Sequence, residues 1–362
     1  MLKNYVSAMN DWEGRVDSQD DYDSLRWHQR VEELDLNEVS EPFEGAIGFA
    51  FIGFCSEQGV RRNKGRVGTA LAPDFIRKQM SNLPCTFHQS VRLFDAGNIM
   101  CQEISMEEGQ DILAQAVEKI LDLNLFPIVL GGGHETTFGH YKGQLAKALK
   151  SGGKSGPRIY QEEEKTEEII KAKKPDIGIV NFDAHFDLRP YDKGSSSGSM
   201  FRQIADICKD GNMKYGYLPL GIQKHSNTVS LFKTADSLGV DYVLARDIHI
   251  GNFAPILEKI DTFMFNHESI YITICTDVFS AAFAPGVSAT QSIGLDPEDV
   301  LPVIKHIVRS RKLIGFDICE ISPRFDQDNT TASLGAVIIF SVINTICKIR
   351  GLGVITDADY YA

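Results

Sequence analysis

With 362 residues, 43% of them hydrophobic and 24% charged, the chain can build a sizeable core and is neither disordered nor fibrous in composition. A net charge of −12 argues against a general nucleic-acid binder, whose footprint is normally basic. Seven irregularly spaced cysteines do not make a disulfide framework, and no apolar stretch is expected to reach the about 20 residues a membrane helix needs. The start, Met1-Leu2-Lys3-Asn4-Tyr5, lacks the apolar core of a secretory signal, so the expected home is a reducing cytoplasm.

Residues 1–45 are polar and acidic, carry both tryptophans (Trp12 and Trp27), and are expected to form an N-terminal extension packed on a main domain over 46–362. Strands are predicted at 47–54, 126–130, 177–182, 242–245, 270–275 and 313–318. Helices are predicted at 105–123, 139–149, 162–172 and 297–309. This alternation predicts a single-domain α/β fold of three layers, with a mostly parallel central sheet covered on both faces. The run Ser151-Gly-Gly-Lys-Ser-Gly-Pro157, followed by Gln161-Glu-Glu-Glu-Lys165, is flexible and then charged. It lacks both the spacing of a phosphate-binding loop and a strand leading into it, so a charged insertion near 151–173 is expected.

In an open parallel sheet, ligands sit outside the carboxyl ends of the strands. Four predicted strand ends carry imidazole or carboxylate groups. Gly131-Gly-Gly-His134 follows 126–130; Asp183-Ala-His185-Phe-Asp187 follows 177–182; Cys275-Thr-Asp277 follows 270–274; Cys319-Glu320 follows 313–318. Taken singly, each has a plain structural reading: His134 as a loop residue, the aspartates as caps or turn formers, Glu320 as a partner of Arg324. Together they are harder to dismiss, because clustered buried carboxylates need a cation to compensate them. Side chains alternate along an extended segment, so Asp183, His185 and Asp187 project to one side. A set this rich in carboxylate and imidazole suits two divalent ions, with Mn²⁺ ahead of softer metals.

The motifs Gly131-Gly-Gly-His134, Asp183-Ala-His185-Phe-Asp187 and Asp277-Val-Phe-Ser-Ala-Ala-Phe-Ala-Pro285-Gly, in that order, resemble those of the arginase, or ureohydrolase, superfamily, from about Phe49 onward. Within it, Trp12-Glu-Gly-Arg15-Val-Asp17, Arg26-Trp27-His28-Gln29, Gly59-Val-Arg-Arg-Asn63-Lys-Gly-Arg66, Ser197-Gly-Ser199 and Pro285-Gly-Val-Ser-Ala289 look most like the formimidoylglutamase family. The resemblance implies an arginase-like catalytic domain over 46–362. It places His134, Asp183, Asp187 and residue 275 around one metal, and Asp183, His185, Asp277 and again 275 around the other. Asp187 would accept a hydrogen bond from a metal-bridging hydroxide and shuttle its proton, and Glu320 would anchor an amidinium or guanidinium group. The implied reaction is attack of that hydroxide on the amidine carbon of N-formimidoyl-L-glutamate, giving L-glutamate and formamide in histidine degradation. Arg189, Asn63, Arg66, Ser197 and Ser199 are the candidates for binding the substrate carboxylates. Superfamily members are commonly trimers or hexamers, so a homo-oligomer is expected, with a small amidine or guanidine as the partner and neither nucleic acid nor membrane.

Two departures qualify this. The superfamily pattern has Asp-x-Asp where this chain has Cys275-Thr276-Asp277. A thiolate at 275 could ligate and would tilt preference toward Fe²⁺ or Zn²⁺; alternatively Cys275 is a neutral bystander beside one weakened site. Residues 194–202 also lack the histidine that arginases use as a proton shuttle, which argues against arginase proper. The alternatives carried forward are another ureohydrolase, agmatinase-like or acting on guanidino acids, and a non-catalytic arginase-fold binding protein.

Overall fold

The computed structural model describes residues 1–8, 12–153, 156–157 and 173–354. The helix predicted at 162–172 and most of the charged insertion near 151–173 lie outside the described residues. Ten strands form one sheet: β1 (Tyr5–Val6), β2 (Val31–Glu33), β3 (Ile47–Cys55), β4 (Val91–Met100), β5 (Phe126–Leu130), β6 (Ile177–Phe182), β7 (Gly216–Ile222), β8 (Val243–Leu244), β9 (Ser269–Cys275) and β10 (Leu313–Cys319). Their order is β1-β4-β3-β5-β10-β9-β6-β7-β8, with β2 also pairing β4. Among the described strands, only the β1–β4 pairing is antiparallel. The predicted mostly parallel α/β sheet is what forms.

The helices are α1 (Gln58–Arg62), α2 (Ala72–Met80), α3 (Met106–Asp122), α4 (Thr136–Lys150), α5 (Met200–Asp210), α6 (Val229–Ser237), α7 (Phe253–Phe265), α8 (Pro297–Arg309) and α9 (Thr330–Ile349). Two of them begin where their caps dictate. The Ser105 side chain accepts from Glu108 N–H to open α3, and that of Asp296 accepts from Glu298 N–H to open α8, with Pro297 in its first turn. The 297–309 helix accordingly matches its predicted bounds.

Helix α9 corrects the expectation that no apolar stretch approaches membrane length. Its 20 residues have a mean hydropathy of 1.9, enough to cross a membrane by length and composition alone. Here Ile338, Ile339, Val342, Ile343 and Ile346 are wholly buried in the core cluster that covers one face of the sheet. Apolar side chains nearly all round a helix mark burial, and this one packs between α2, α8 and the sheet.

The amino-terminal segment joins the same body. Its strands β1 and β2 extend the sheet edge along β4, and Trp27, fully buried, packs against Phe51, Phe87 and Phe340. Trp12 donates its indole N–H to Asp95 at 2.7 Å. Register places the site. Leu130 of β5 pairs with Ile318 of β10, Cys319 with Cys275 of β9, and Ile274 with Phe182 of β6. Four adjacent central strands therefore end level with one another, and the loops leaving them converge at one point.

Candidate metal centre

The loop after β5 turns within three glycines. A Cβ on Gly132 would stand 2.1 Å from the Ser56 carbonyl oxygen, so only glycine lets this backbone pass. The Gly132 carbonyl in turn accepts from Glu320 N–H at 2.9 Å, and the Glu320 carboxylate accepts from His134 N–H at 2.9 Å. The strand-end loops after β5 and β10 thus hold each other.

From the loop after β6, Asp183 is wholly buried and presents one oxygen to each imidazole. Its Oδ2 lies 3.0 Å from His134 Nδ1 and its Oδ1 lies 3.3 Å from His185 Nδ1. Asp187 Oδ2 approaches His134 Nδ1 to 3.1 Å, and Asp277 Oδ2 approaches His185 Nδ1 to 3.2 Å. Donor atoms of His134, Asp183 and Cys275 lie within 4.8 Å of one another, as do those of Asp183, His185 and Asp277. Asp183 belongs to both sets, which is the placement of a carboxylate shared between two ions. Cys275 Sγ belongs to the first.

The cluster is short of positive charge. Burial raises Asp187 to about 6, and the neighbouring Asp183 charge adds to the rise. Burial likewise lifts Asp277, and it lifts Glu320 and the Cys275 thiol well above their ordinary ranges, with the surrounding carboxylates pushing the same way. Burial opposes charge on His134 and His185 too, yet the aspartates facing them hold both imidazoles well above the usual histidine value. Burial would also raise Asp183, but its hydrogen bonds to the two imidazoles keep it well below the carboxylate range. Asp277 Oδ1 is buried and has no hydrogen-bond partner. Two divalent ions fit this donor set: they would use the orphaned oxygen and neutralise the excess carboxylate charge.

A second polar chain stands behind His134. Its Nε2 lies 3.1 Å from Thr273 Oγ1, which lies 2.9 Å from Thr137 Oγ1, which donates to Asp317 Oδ1 at 3.5 Å. Read as donors, the chain keeps a proton on Nε2, so Nδ1 would be the nitrogen offered to a metal ion. Sequence reasoning missed Thr273 and Thr137. The available signal was alternation: Thr273 and Cys275 share one face of β9.

A cavity of about 310 Å³ opens over the cluster. His134, His185, Asp187, Cys275, Asp277 and Glu320 line it, with Arg189, Asn63, Arg66 and Ser197. Lys64 is there as well, unforeseen. Ser199 is not among the lining residues: its hydroxyl accepts from Ser196 N–H at 2.9 Å and donates to Ser196 O at 3.0 Å, so it is committed to its own turn. Arg66 lines the cavity, but its guanidinium donates to Val287 O at 2.6 Å and Ser288 O at 3.1 Å and lies over the Phe325 ring, so it is held as scaffold. Glu320 does not pair with Arg324, which lies over Phe325 instead. Gly198 fits against Arg189, whose Cδ would stand 2.9 Å from a Cβ placed there. Three residues at this cavity, Lys64, Asp187 and Glu320, are non-glycine residues at positive φ (63°, 48° and 67°). Strain of this kind collects where function fixes a side chain.

The arginase family model matches residues 47–344. The chain belongs to the arginase family. It is 55% identical over 355 residues to the formimidoylglutamase of Clostridium tetani (strain Massachusetts / E88), covering 97% of this chain and 98% of that one. The formimidoylglutamase of Geobacillus sp. (strain WCH70) is 41% identical over 325 residues, covering 90% and 91%. Among solved structures, the formimidoylglutamase of Bacillus subtilis superposes with a TM-score of 0.73 at 19% identity, covering 92% of this chain and 96% of that one. Trypanosoma cruzi formiminoglutamase, solved with Mn²⁺, gives 0.69 at 18% identity, covering 87% and 99%. At these identities the structural matches establish the arginase-like fold.

Proposed function

We propose that this chain hydrolyses N-formimidoyl-L-glutamate to L-glutamate and formamide. The observation that carries the reading is the 55% identity to the Clostridium tetani formimidoylglutamase across nearly the whole of both chains. The cavity is consistent with it, having an acidic donor cluster at its floor and cations at its rim.

His134, Asp183, Asp187 and Cys275 would hold one divalent ion, and Asp183, His185 and Asp277 the other. When bound, such ions supply Lewis acidity and ionise water near neutral pH. The oxygen-rich set favours Mn²⁺, with Cys275 the element that tilts toward Fe²⁺ or Zn²⁺. The chain's residues then have separable tasks. Glu320, held by His134 N–H, faces the cavity with a carboxylate suited to a planar amidinium. Asp187 Oδ2 holds the proton released when water adds to the amidine carbon and returns it to the departing amine nitrogen. Arg189, Asn63 and Ser197 bind the glutamate portion. Arg66 and Ser199 serve instead by holding the loops they tie.

Residues 1–45 act as an extension of one catalytic unit at 46–362, since Trp27 and Trp12 contribute to its core. Seven unpaired, buried cysteines suit a cytoplasmic setting. Assembly is as a homo-oligomer, which light scattering of the purified protein reads directly. The test of function is incubation of Mn²⁺-loaded protein with N-formimidoyl-L-glutamate, with release of glutamate and formamide expected. No turnover with Mn²⁺, Fe²⁺ or Zn²⁺ overturns the reading; urea release from agmatine or a guanidino acid would replace it with another ureohydrolase activity.

A further inference from the structure

Helix α1 ends in a motif that normally calls for glycine. Gly65 N–H donates to Val60 O at 2.8 Å and Lys64 N–H donates to Arg61 O at 3.1 Å, the paired bonds of a Schellman cap. The residue between cap and exit must be left-handed, and Lys64 has φ 63°. Any residue with a Cβ is disfavoured there, and lysine has no special local hydrogen bond to offset that. The cap stabilises the helix, and lysine weakens it, so something other than helix stability accounts for this side chain.

Its surroundings show what it can do. Lys64 lines the cavity with His134, Asp187, Arg189 and Glu320, and no acidic residue among those described pairs with it or with Arg189. Among the described residues both cations lack an acidic partner, in a chain of net charge −12. The position is also firmly built. Glu135, wholly buried, accepts from Gly59 N–H at 2.9 Å and Ser56 Oγ at 2.8 Å, tying the start of α1 to the loop that carries His134. Beyond Lys64, Ser288 Oγ accepts from Arg66 N–H at 2.8 Å. The lysine therefore stands between two anchored points, at a fixed place on the rim.

Two divalent ions would offset the four carboxylates of Asp183, Asp187, Asp277 and Glu320, leaving the floor close to neutral. The rim cations then set the sign the cavity presents to a ligand. Arg189 follows Asp187 by two residues, near the reacting centre, whereas Lys64 comes from a separate loop. We propose that Lys64 is a specificity-determining residue whose ammonium binds the side-chain carboxylate of the substrate, with Arg189 serving the carboxylate next to the amidine. This rests on the substrate reading above. It adds to it the residue that tells a substrate with two carboxylates from one with a single carboxylate.

The test compares N-formimidoyl-L-glutamate with N-formimidoyl-L-glutamine, whose side-chain carboxylate is masked as an amide, on Mn²⁺-loaded wild type, Lys64→Gly and Lys64→Arg. Wild type is expected to prefer the glutamate compound. Lys64→Gly should shrink that preference by about tenfold, through KM more than kcat, and Lys64→Arg should restore much of it. Because glycine is the residue the cap favours, the unfolding midpoint of Lys64→Gly should stand at or above that of wild type, so a lost preference cannot be ascribed to misfolding. An unchanged preference in a folded Lys64→Gly overturns the assignment and leaves the substrate reading intact. A wild type inactive on both compounds overturns the substrate reading, and this inference with it.

Discussion

Two buried clusters of carboxylate and imidazole lie side by side in this sheet, and they have opposite characters. One is Asp317, wholly buried, which accepts from His140 Nδ1 at 2.9 Å, from the Tyr271 hydroxyl and from Thr137. His140 Nε2 accepts in turn from Gln144 Nε2 at 3.2 Å. Protein donors satisfy this carboxylate. The other is the Asp183 cluster, where three aspartates and Glu320 crowd two imidazoles and Asp277 Oδ1 is left without a partner. Residue types alone do not separate the two. What separates them is leftover carboxylate capacity: protein donors satisfy Asp317, which makes its cluster structural, whereas Asp277 Oδ1 is left over and suits metal. Thr137 and Thr273 join them, so the Asp317 cluster steadies the His134 imidazole.

That contrast can be broken by experiment. Asp317→Ala strands His140 and Tyr271 in the core and should cost about 3–5 kcal/mol in stability whether or not metal is present; denaturant unfolding with and without chelator measures it. A cost that appears only with metal bound would merge the two clusters. Thr273→Val keeps the shape but cuts the link to His134, and should weaken metal binding roughly 10–100-fold, read by competition with a chelating dye. Cys275→Asp supplies the carboxylate that the superfamily pattern expects and should tighten Mn²⁺ binding about tenfold, or about 1.4 kcal/mol. Unchanged affinity would show that position 275 lies outside the coordination sphere.

The smallest effect belongs to the rim. Glu107 accepts from both Arg62 and Ser195 Oγ, joining the α1 loop to the 194–199 loop, and the Arg62 guanidinium holds its carboxyl down to about 2. A depressed pKa stabilises the fold above the unfolded value of about 4.5, and that stability is lost as pH falls toward 2. Glu107 is half exposed and screened, so at most about 1 kcal/mol is at stake. Acid unfolding curves of wild type and Glu107→Gln should separate above pH 4.5 and merge near pH 2.

The strand ends were legible because apolar runs such as 126–130 and 177–182 stop at chemistry-bearing loops. Strand β4 escaped notice since Arg92, Asp95, Gly97 and Asn98 interrupt its apolar pattern. Asp95 is buried only because Arg77 and Trp12 satisfy it, and that is a tertiary fact. Helix α9 escaped because apolar Val337 and Phe340 interrupt its less buried stripe, so no polar face reveals its period. Among site residues, the motif histidines and aspartates could be read from spacing. Ser199 and Arg66 could not be told from substrate-binding groups, because what decides their role is which backbone carbonyls they meet. Lys64 was hidden for the converse reason, since its left-handed backbone exists only once α1 is capped.

The proposed two-metal centre has Asp183 between its ions and Cys275 within it. Anomalous diffraction from Mn²⁺-soaked crystals tests this most directly. Two peaks are expected, with Asp183 shared between them and Cys275 Sγ beside the one nearer His134. A single peak, or none, under saturating metal would contradict it.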